Sequence, residues 1–188
     1  MRNEKKVIYR QVLKMTFEKY GITLKRLTED KIELVRDWRN DPKISQYMEF
    51  RDYITPEMQA KWFAKIDNDQ NYYFIVEYKG KEIGLTNVKD IDYGAKIGEG
   101  GIFIYDDSFL NSDIPFRVIF ALNDFCFDEL RLERMIAHIM SDNKRAIDFN
   151  LILGYKKDAS SPDTGKMIYI LTKEDYLKQR NRFAKLLK

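Results

Sequence analysis

The chain has 188 residues, 44% of them hydrophobic and 34% charged, which suits one domain with a sizeable core and excludes collagen-like, low-complexity and broadly disordered classes. Its apolar stretches are far too short to cross a bilayer as a helix, and its polar, basic start lacks the apolar centre of a secretory signal, so no membrane partner is expected. The net charge is only +3, too little for a nucleic-acid footprint over the whole domain, and the lone Cys126 has no partner for an internal disulfide, so a cytoplasmic, reducing location is expected.

Residues 1–20 read as an N-terminal appendage, with five basic residues against one acidic within 1–14 and some helical spacing of Val7, Val12, Leu13 and Phe17 before the break at Gly21. Ile22, Leu24 and Leu27 then set against Thr23, Lys25 and Arg26 predict a first strand. Thr28 is a helix cap followed by two acids that suit a helix N-terminus, and Ile32, Leu34, Val35 and Trp38 recur at helical intervals until Asp41-Pro42 stops or bends the helix. Thr55-Pro56 opens a second helix, with Met58, Trp62 and Ile66 on one face. Residues 72–78, 82–92 and 96–105 form a meander joined by turns at Lys79-Gly80-Lys81 and Tyr93-Gly94-Ala95. Gly98, Gly100 and Gly101 in its last strand suggest a bulge or the close approach of a ligand.

After the polar loop 106–113, residues 114–130 read as a buried helix and 132–140 as a strand. Asn143 caps a helix that stops at Gly154. A strand begins at Tyr155, a polar turn covers 159–165, and a last strand covers 167–171. Residues 172–188 end as a basic helix with six basic residues against two acidic within 173–188, and both basic ends are read as solvated tails rather than nucleic-acid contacts. Helices interleaved with an antiparallel meander imply a layered α/β fold rather than a doubly wound parallel sheet.

The run Trp38-Arg39-Asn40-Asp41-Pro42-Lys43-Ile44, then Tyr47-Met48, then Trp62-Phe63 on the Thr55 helix, with Asn143, Ala146, Gly154 and Tyr155 further on, resembles the GNAT superfamily of acyltransferases. The likeness runs over residues 22–171 and is to the ribosomal-protein N-acetyltransferase-like branch, above all to its members that acetylate a UDP-linked amino sugar on the pathway to pseudaminic acid. It implies an acetyltransferase domain over 21–172, between the appendage and the C-terminal helix of 173–188. It also implies a central, mostly antiparallel mixed sheet of about seven strands flanked by helices, splayed between the fourth and fifth. The pantetheine of acetyl-CoA would lie in that splay along the backbone of Ile102, Phe103, Ile104 and Tyr105. The pyrophosphate would sit on the loop opening the next helix, here Leu110, Asn111, Ser112, Asp113 and Ile114. Unpaired N–H groups and the helix dipole attract phosphate at such a place. This loop departs from the family pattern in having no glycine, and Asp113 adds negative charge, although Arg117 follows to neutralise phosphate. Asn143 and Ala146 would be further contacts of acetyl-CoA.

Acetyl transfer to an amine must remove a proton from the ammonium, stabilise an oxyanion and protonate the leaving thiolate. The resemblance implies Glu99, on the meander's last strand, as general base acting through water. The usual acid tyrosine of the family is here Asn150, which donates a hydrogen bond but not a proton, leaving water, Tyr155 or Tyr105. The acceptor lip would be Trp38, Arg39, Asn40, Tyr47, Met48 and Arg51, with arginine suited to a diphosphate or carboxylate. Structural readings compete at several of these positions: Glu99 as a strand-edge acid, Tyr155 and Trp38 as core, Asn143 as a helix cap. His138 has no Cys or His cluster around it, so it reads as a satisfied sheet histidine and no metal is expected.

The expectation is direct transfer from acetyl-CoA to an amino group of a nucleotide-linked sugar. Alternatives are a protein N-terminus or another small amine as acceptor, and a GNAT-fold binding module without catalysis. RNA association through the basic ends ranks last, and a homodimer stays open.

Overall fold

Strand β1 (Thr16–Lys19) and strand β2 (Ile22–Arg26) open a hairpin at one edge of the sheet in this computed structural model, which describes residues 16–161 and 165–188. Helices α1 (Ile32–Asn40), α2 (Pro42–Ser45) and α3 (Pro56–Ile66) follow. The meander is β3 (Tyr72–Tyr78), β4 (Lys81–Asp92) and β5 (Ile97–Ile104). Helix α4 (Ile114–Asp124), a π-helical turn (Phe125–Glu129), strand β6 (Arg134–Met140) and helix α5 (Lys144–Ile152) lead to β7 (Lys156–Lys157), β8 (Lys166–Thr172) and α6 (Lys173–Arg182).

The eight strands lie in the order β1-β2-β3-β4-β5-β6-β8-β7. This is one strand more than the seven expected. The addition is Thr16–Lys19, within the segment read as an appendage. Its Thr-Phe-Glu-Lys sequence carries one apolar residue, so it gives no alternation to read. Phe17 packs edge-on to Phe125 with ring centroids 5.6 Å apart. The helical spacing noted at Val7, Val12 and Leu13 lies outside the described residues.

Local chemistry explains the elements. Thr55 Oγ1 accepts from the Met58 N–H at α3's start, where Pro56 needs no partner. Asp41 ends α1 in an extended conformation, and its carboxylate caps α2 by accepting from Lys43 N–H at 3.0 Å, so Asp41-Pro42 both stops one helix and starts another. The expected helix over 114–130 instead relaxes from α into π geometry at Phe125. Asp124, fully buried at that junction, accepts from Tyr176 Oη (2.6 Å) and Arg180 Nη1 (2.6 Å) of α6, and from Tyr20 Oη (2.5 Å) beside β1. It also pairs with Lys19 at 2.7 Å, so one carboxylate ties the first hairpin and the last helix to the middle of the chain.

The sheet separates two apolar layers. One packs β2–β6 and β8 against α4, through Phe74, Val118, Phe120, Phe125 and Met135. The smaller one packs α1 and α3 on the other face through Val35, Trp38, Tyr73, Ile75 and Leu85. Strand β3, Tyr-Tyr-Phe-Ile-Val-Glu-Tyr, is buried on both sides over its first five residues, which is why it reads as a continuous apolar run.

Every neighbouring strand pair is antiparallel except β5 and β6. That parallel pairing holds for three positions only, Ile97 with Arg134, Gly98 with Met135 and Glu99 with Ile136, and then stops. From Gly100 onward β5 keeps β4 on one side and leaves its other edge unpaired. The fork expected between the fourth and fifth strands therefore lies between β5 and β6, because the first hairpin adds one to the count.

Candidate active site

Alternation along β5 sorts its residues between the two faces. Glu99, Gly101 and Phe103 face α1 and α3, whereas Gly98, Gly100 and Ile102 face α4. At the fork's apex Glu99 is held from both sides. Its Oε1 lies 3.1 Å from Lys89 Nζ on β4, and its Oε2 lies 2.8 Å from His138 Nδ1 on β6. Burial alone would lower the Lys89 ammonium pKa, but the Glu99 carboxylate wins and holds it above the usual lysine value. The Glu99 side chain is only 18% exposed and the imidazole 28%, so this ion-paired group sits at the mouth of the fork rather than in bulk water.

The glycines explain themselves here. A side chain on Gly101 would meet Asn87 Oδ1 at 2.8 Å, so the Asn87 amide occupies the space above it. Gly100 opens the opposite face, where an added Cβ would lie 3.2 Å from Met135 Cε and 3.7 Å from Tyr155 Oη. The bulge suggested for β5 falls instead on β4, where the register shifts between Lys89 and Asp92 and Asp90 adopts a positive φ of 51°.

Tyr155 is buried in the α4-side core, and burial pushes its phenol well above the ordinary tyrosine range. Its hydroxyl makes no hydrogen bond among the described residues and points at the fork beside Gly100. Packing and proton donation are therefore compatible at this residue. Asn150 is turned away, donating from Nδ2 to its own helix at Ala146 O (2.8 Å). Tyr105 donates its hydroxyl to Asp41 at 3.2 Å and stacks on Trp38 at 5.4 Å, so it braces the lip rather than the fork.

Beyond β5, the loop before α4 is closed by its own side chains. Ser112 Oγ donates to Phe109 O (2.7 Å) and accepts from Ile114 N–H (3.1 Å), and Pro115 has no N–H. The backbone donors left near this turn include those of Asn111 and Asp113. The Asp113 carboxylate is neutralised by Arg117 Nε at 2.7 Å. Arg145, at the start of α5, donates to Leu110 O at 2.8 Å and brings a further, exposed cation to the loop. Asn143 is spent as the α5 cap, accepting from Ala146 N–H at 3.1 Å. An unpaired β5 edge ending at a loop with free amides and two arginines fits a pantetheine arm and a pyrophosphate, although with fewer first-turn donors than a glycine-rich loop offers.

The proposed lip divides into framework and surface. Trp38 is buried between Phe103 and Tyr105. Asn40 is a clasp: its amide donates to Ile54 O (2.9 Å) and accepts from Ile54 N–H (2.8 Å), pinning the loop that carries Tyr47 to Tyr53. Arg51 Nε donates to Met48 O within that loop, and Met48 is half-buried. Tyr47, Phe50 and Tyr53 are 54%, 42% and 68% exposed, an aromatic surface the fold leaves in water. Arg39 differs from the rest. Burial depresses its guanidinium pKa, it lies 5.8 Å from the Trp62 ring, and it makes no hydrogen bond or ion pair among the described residues. It faces the same side of the sheet as Tyr73, Lys89 and Glu99.

Lys89, Asn87, His138, Arg145 and Glu49 complete this site without having been singled out as site residues. Glu49, in the lip, pairs with Lys166 of β8 at 2.6 Å, and that lysine above all holds its carboxyl below the usual range, with Lys89 and His138 adding to the effect. Strand register brings Asn87, Lys89 and His138 to Glu99 and Gly101, while Glu49 comes from the lip loop and Arg145 from α5. Among the described residues no group of three or more His, Cys, Asp or Glu is placed to hold a metal, and no helix is long and apolar enough to cross a membrane.

Three comparisons bear on this geometry. The sequence family described as acetyltransferase (GNAT) domain matches residues 22–156. The protein called Acetyltransferase PseH from Campylobacter jejuni subsp. jejuni serotype O:23/36 (strain 81-176) is 28% identical over 130 residues, 67% of this chain and 79% of its own length. A second PseH, from serotype O:2, is 25% identical over 122 residues, 64% of this chain and 74% of its own. Among solved structures, that described as apo FdhC, a nucleotide-linked sugar GNAT, superposes with a TM-score of 0.78 at 20% identity over 93% of this chain and 99% of that one. Spermidine N-acetyltransferase from Vibrio cholerae, solved with CoA and spermine, gives 0.70 at 18% identity over 84% of this chain and 98% of that one.

Proposed function

The chain belongs to the GNAT acetyltransferase family, and from that premise we propose that it transfers the acetyl group of acetyl-CoA directly to an amino group of a nucleotide-linked amino sugar. N-Acetyl transfer itself is the activity its family and its PseH relatives carry. Acetyl-CoA enters the fork between β5 and β6, with pantetheine along Ile102–Tyr105 and pyrophosphate at residues 110–114 near Arg117 and Arg145. The amine arrives from the α1–α3 face, where the pair built on Glu99 takes its proton. Tyr155, on the opposite face, gives a proton to the leaving thiolate.

The observation that carries the acceptor is Arg39. A half-buried guanidinium with a ring beside it but no hydrogen bond or ion pair among the described residues is costly unless a ligand anion meets it. In the lip that follows α1, the exposed Tyr47, Phe50 and Tyr53 offer rings on which a base stacks. A diphosphate with a base at one end and a sugar amine at the other satisfies both, and a PseH relative and a nucleotide-linked sugar GNAT among the structural neighbours agree with that choice. Calorimetry tests it. Acetyl-CoA is expected to bind in the micromolar range to wild type and Arg39→Met alike, while Arg39→Met weakens a UDP-linked 4-amino sugar by at least about tenfold. Failure of wild type to bind acetyl-CoA would favour the reading in which the Ser112–Pro115 turn, short of free amides, has left a binding module. Equal binding of the UDP-sugar by both proteins would remove Arg39 as its contact, and no binding of the UDP-sugar by wild type would remove the nucleotide-linked acceptor.

A further inference from the structure

Glu99 reaches the amine poorly on its own. Both of its oxygens are already engaged, one by Lys89 Nζ at 3.1 Å and one by His138 Nδ1 at 2.8 Å. A carboxylate with both oxygens engaged has fewer lone pairs left for a further proton donor. The imidazole it holds is different. With Nδ1 facing a carboxylate, the proton of the neutral ring is fixed on Nδ1, and Nε2 carries the lone pair. Nε2 has no hydrogen-bond partner among the described residues, and the ring is 28% exposed at the fork. The strand geometry explains that opening, because β6 leaves β5 just after Ile136 while His138 sits two residues further on the same face. Its partner on the far side is Ile168 of β8, which offers no hydrogen bond.

We propose that His138 Nε2 is the immediate acceptor of the amine proton, and that Glu99 is a positioning residue that acts through it. This rests on the N-acetyl transfer reading above, and it makes His138 a catalytic residue. The substrate ammonium gives one proton to Nε2. The lone pair so freed forms the C–N bond to the acetyl carbonyl carbon. The C–S bond then breaks, the sulfur keeps that electron pair, and it receives a proton through the Tyr155 hydroxyl, replaced there by the second proton leaving the nitrogen. The imidazolium returns its proton to water at the open face. An orienting carboxylate, an imidazole and a reacting group in series make a recurrent way of holding a general base in one tautomer.

The charged groups around this imidazole are Glu99 of β5 and Glu49 of the lip, with Lys89 of β4 and Lys166 of β8 each tied to one of those acids. Arg39, Tyr73 and Asp90 lie around the same group and complete its charged surroundings.

The chain has one histidine, so His138 is its own reporter in untagged protein. Nitrogen-15 spectra of the imidazole in ligand-free protein are expected to show the Nδ1–H tautomer above its titration. Glu99→Gln is expected to shift both the tautomer ratio and the titration midpoint, a change that loss of a merely structural contact elsewhere would not produce. In thiol-release kinetics, His138→Gln is expected to lower kcat/KM by about a hundredfold or more and to erase its acid limb, with acetyl-CoA affinity by calorimetry unchanged. An Nε2–H tautomer, or a titration indifferent to Glu99→Gln, would overturn the proposal. So would a His138→Gln enzyme that keeps its rate and acid limb while Glu99→Gln loses them, since Glu99 would then be the base. If wild type acetylates no UDP-linked amino sugar and no simple amine, the acceptor reading fails separately, and the imidazole spectra alone decide the placement of the proton.

Discussion

Tyr155 is a core residue to which the proposed reaction also assigns a role. Its ring is buried in the α4-side core, and that burial holds the phenol proton well above the ordinary tyrosine value of about 10. The sign matters: a raised phenol stays protonated across the neutral range and remains a proton source until strongly alkaline pH. Tyr155→Phe keeps the packing and removes only the hydroxyl. Its kcat is expected to fall by about a hundredfold with KM for acetyl-CoA unchanged, as measured by thiol release under saturating substrates. An unchanged kcat would leave water as the donor. Glu99 and Tyr155 were both readable from the sequence as candidates, because a family signature and strand position single them out. His138, Lys89 and Asn87 were not. Their roles depend on which residue of β4 and β6 lies opposite Glu99 and Gly101, and register is not written in any local pattern. His138 was read as a satisfied sheet histidine. The structure gives it one partner, Glu99, and leaves its other nitrogen open.

The elements themselves were largely legible, since each is announced by local chemistry. Thr55-Pro56, Asn143 and Thr172 all cap the helices they precede, and the Lys79-Gly80 and Tyr93-Gly94 turns fall where the meander needs them. Two features escaped. The polar strand Thr16–Lys19 is stabilised by edge pairing with β2 rather than by its own alternation. The π turn at Phe125 follows from burying Asp124 under four donors, a tertiary demand that overrides helical propensity. That carboxylate should dominate stability where these elements meet. Burial would raise its pKa, but Lys19, Tyr176, Tyr20 and Arg180 together hold it below the usual aspartate value. Its stabilisation is therefore complete above the unfolded carboxylate value of about 3.9 and is lost as pH falls through the lower native one. Asp124→Asn is expected to cost about 3–5 kcal/mol in urea unfolding at neutral pH, by breaking the buried network, taking the counter-charge from Lys19 and leaving Arg180 only Asp128 at 3.4 Å. The variant should also lose less stability than wild type on acidification. A cost near zero, or an identical acid response, would show that the network is incidental.

At the scale of the molecule, the fork divides the labour between the two faces of the sheet. Opening β5 from β6 gives an extended arm a backbone edge to pair with, and puts the apex group, Glu99 with His138 and Lys89, against the face lined by α1 and α3. In the proposed reaction the thiolate side faces Tyr155 and the α4 core, so the first amine proton is taken and the sulfur's proton supplied from opposite sides of one strand. The lip is held by the Asn40 clasp, so in the proposed complex its exposed aromatics and Arg39, which has no ion pair among the described residues, meet the acceptor already placed. The most direct test of this arrangement is a transfer assay. Wild-type protein is supplied with acetyl-CoA and, in parallel, a UDP-linked 4-amino sugar, a peptide with a free N-terminus and spermidine, with thiol release and product mass followed together. Stoichiometric thiol release is expected, with a single acetyl group gained by the UDP-linked sugar and far slower transfer to the other two. Preferential acetylation of the peptide or of spermidine, with the UDP-linked sugar inert, would contradict it.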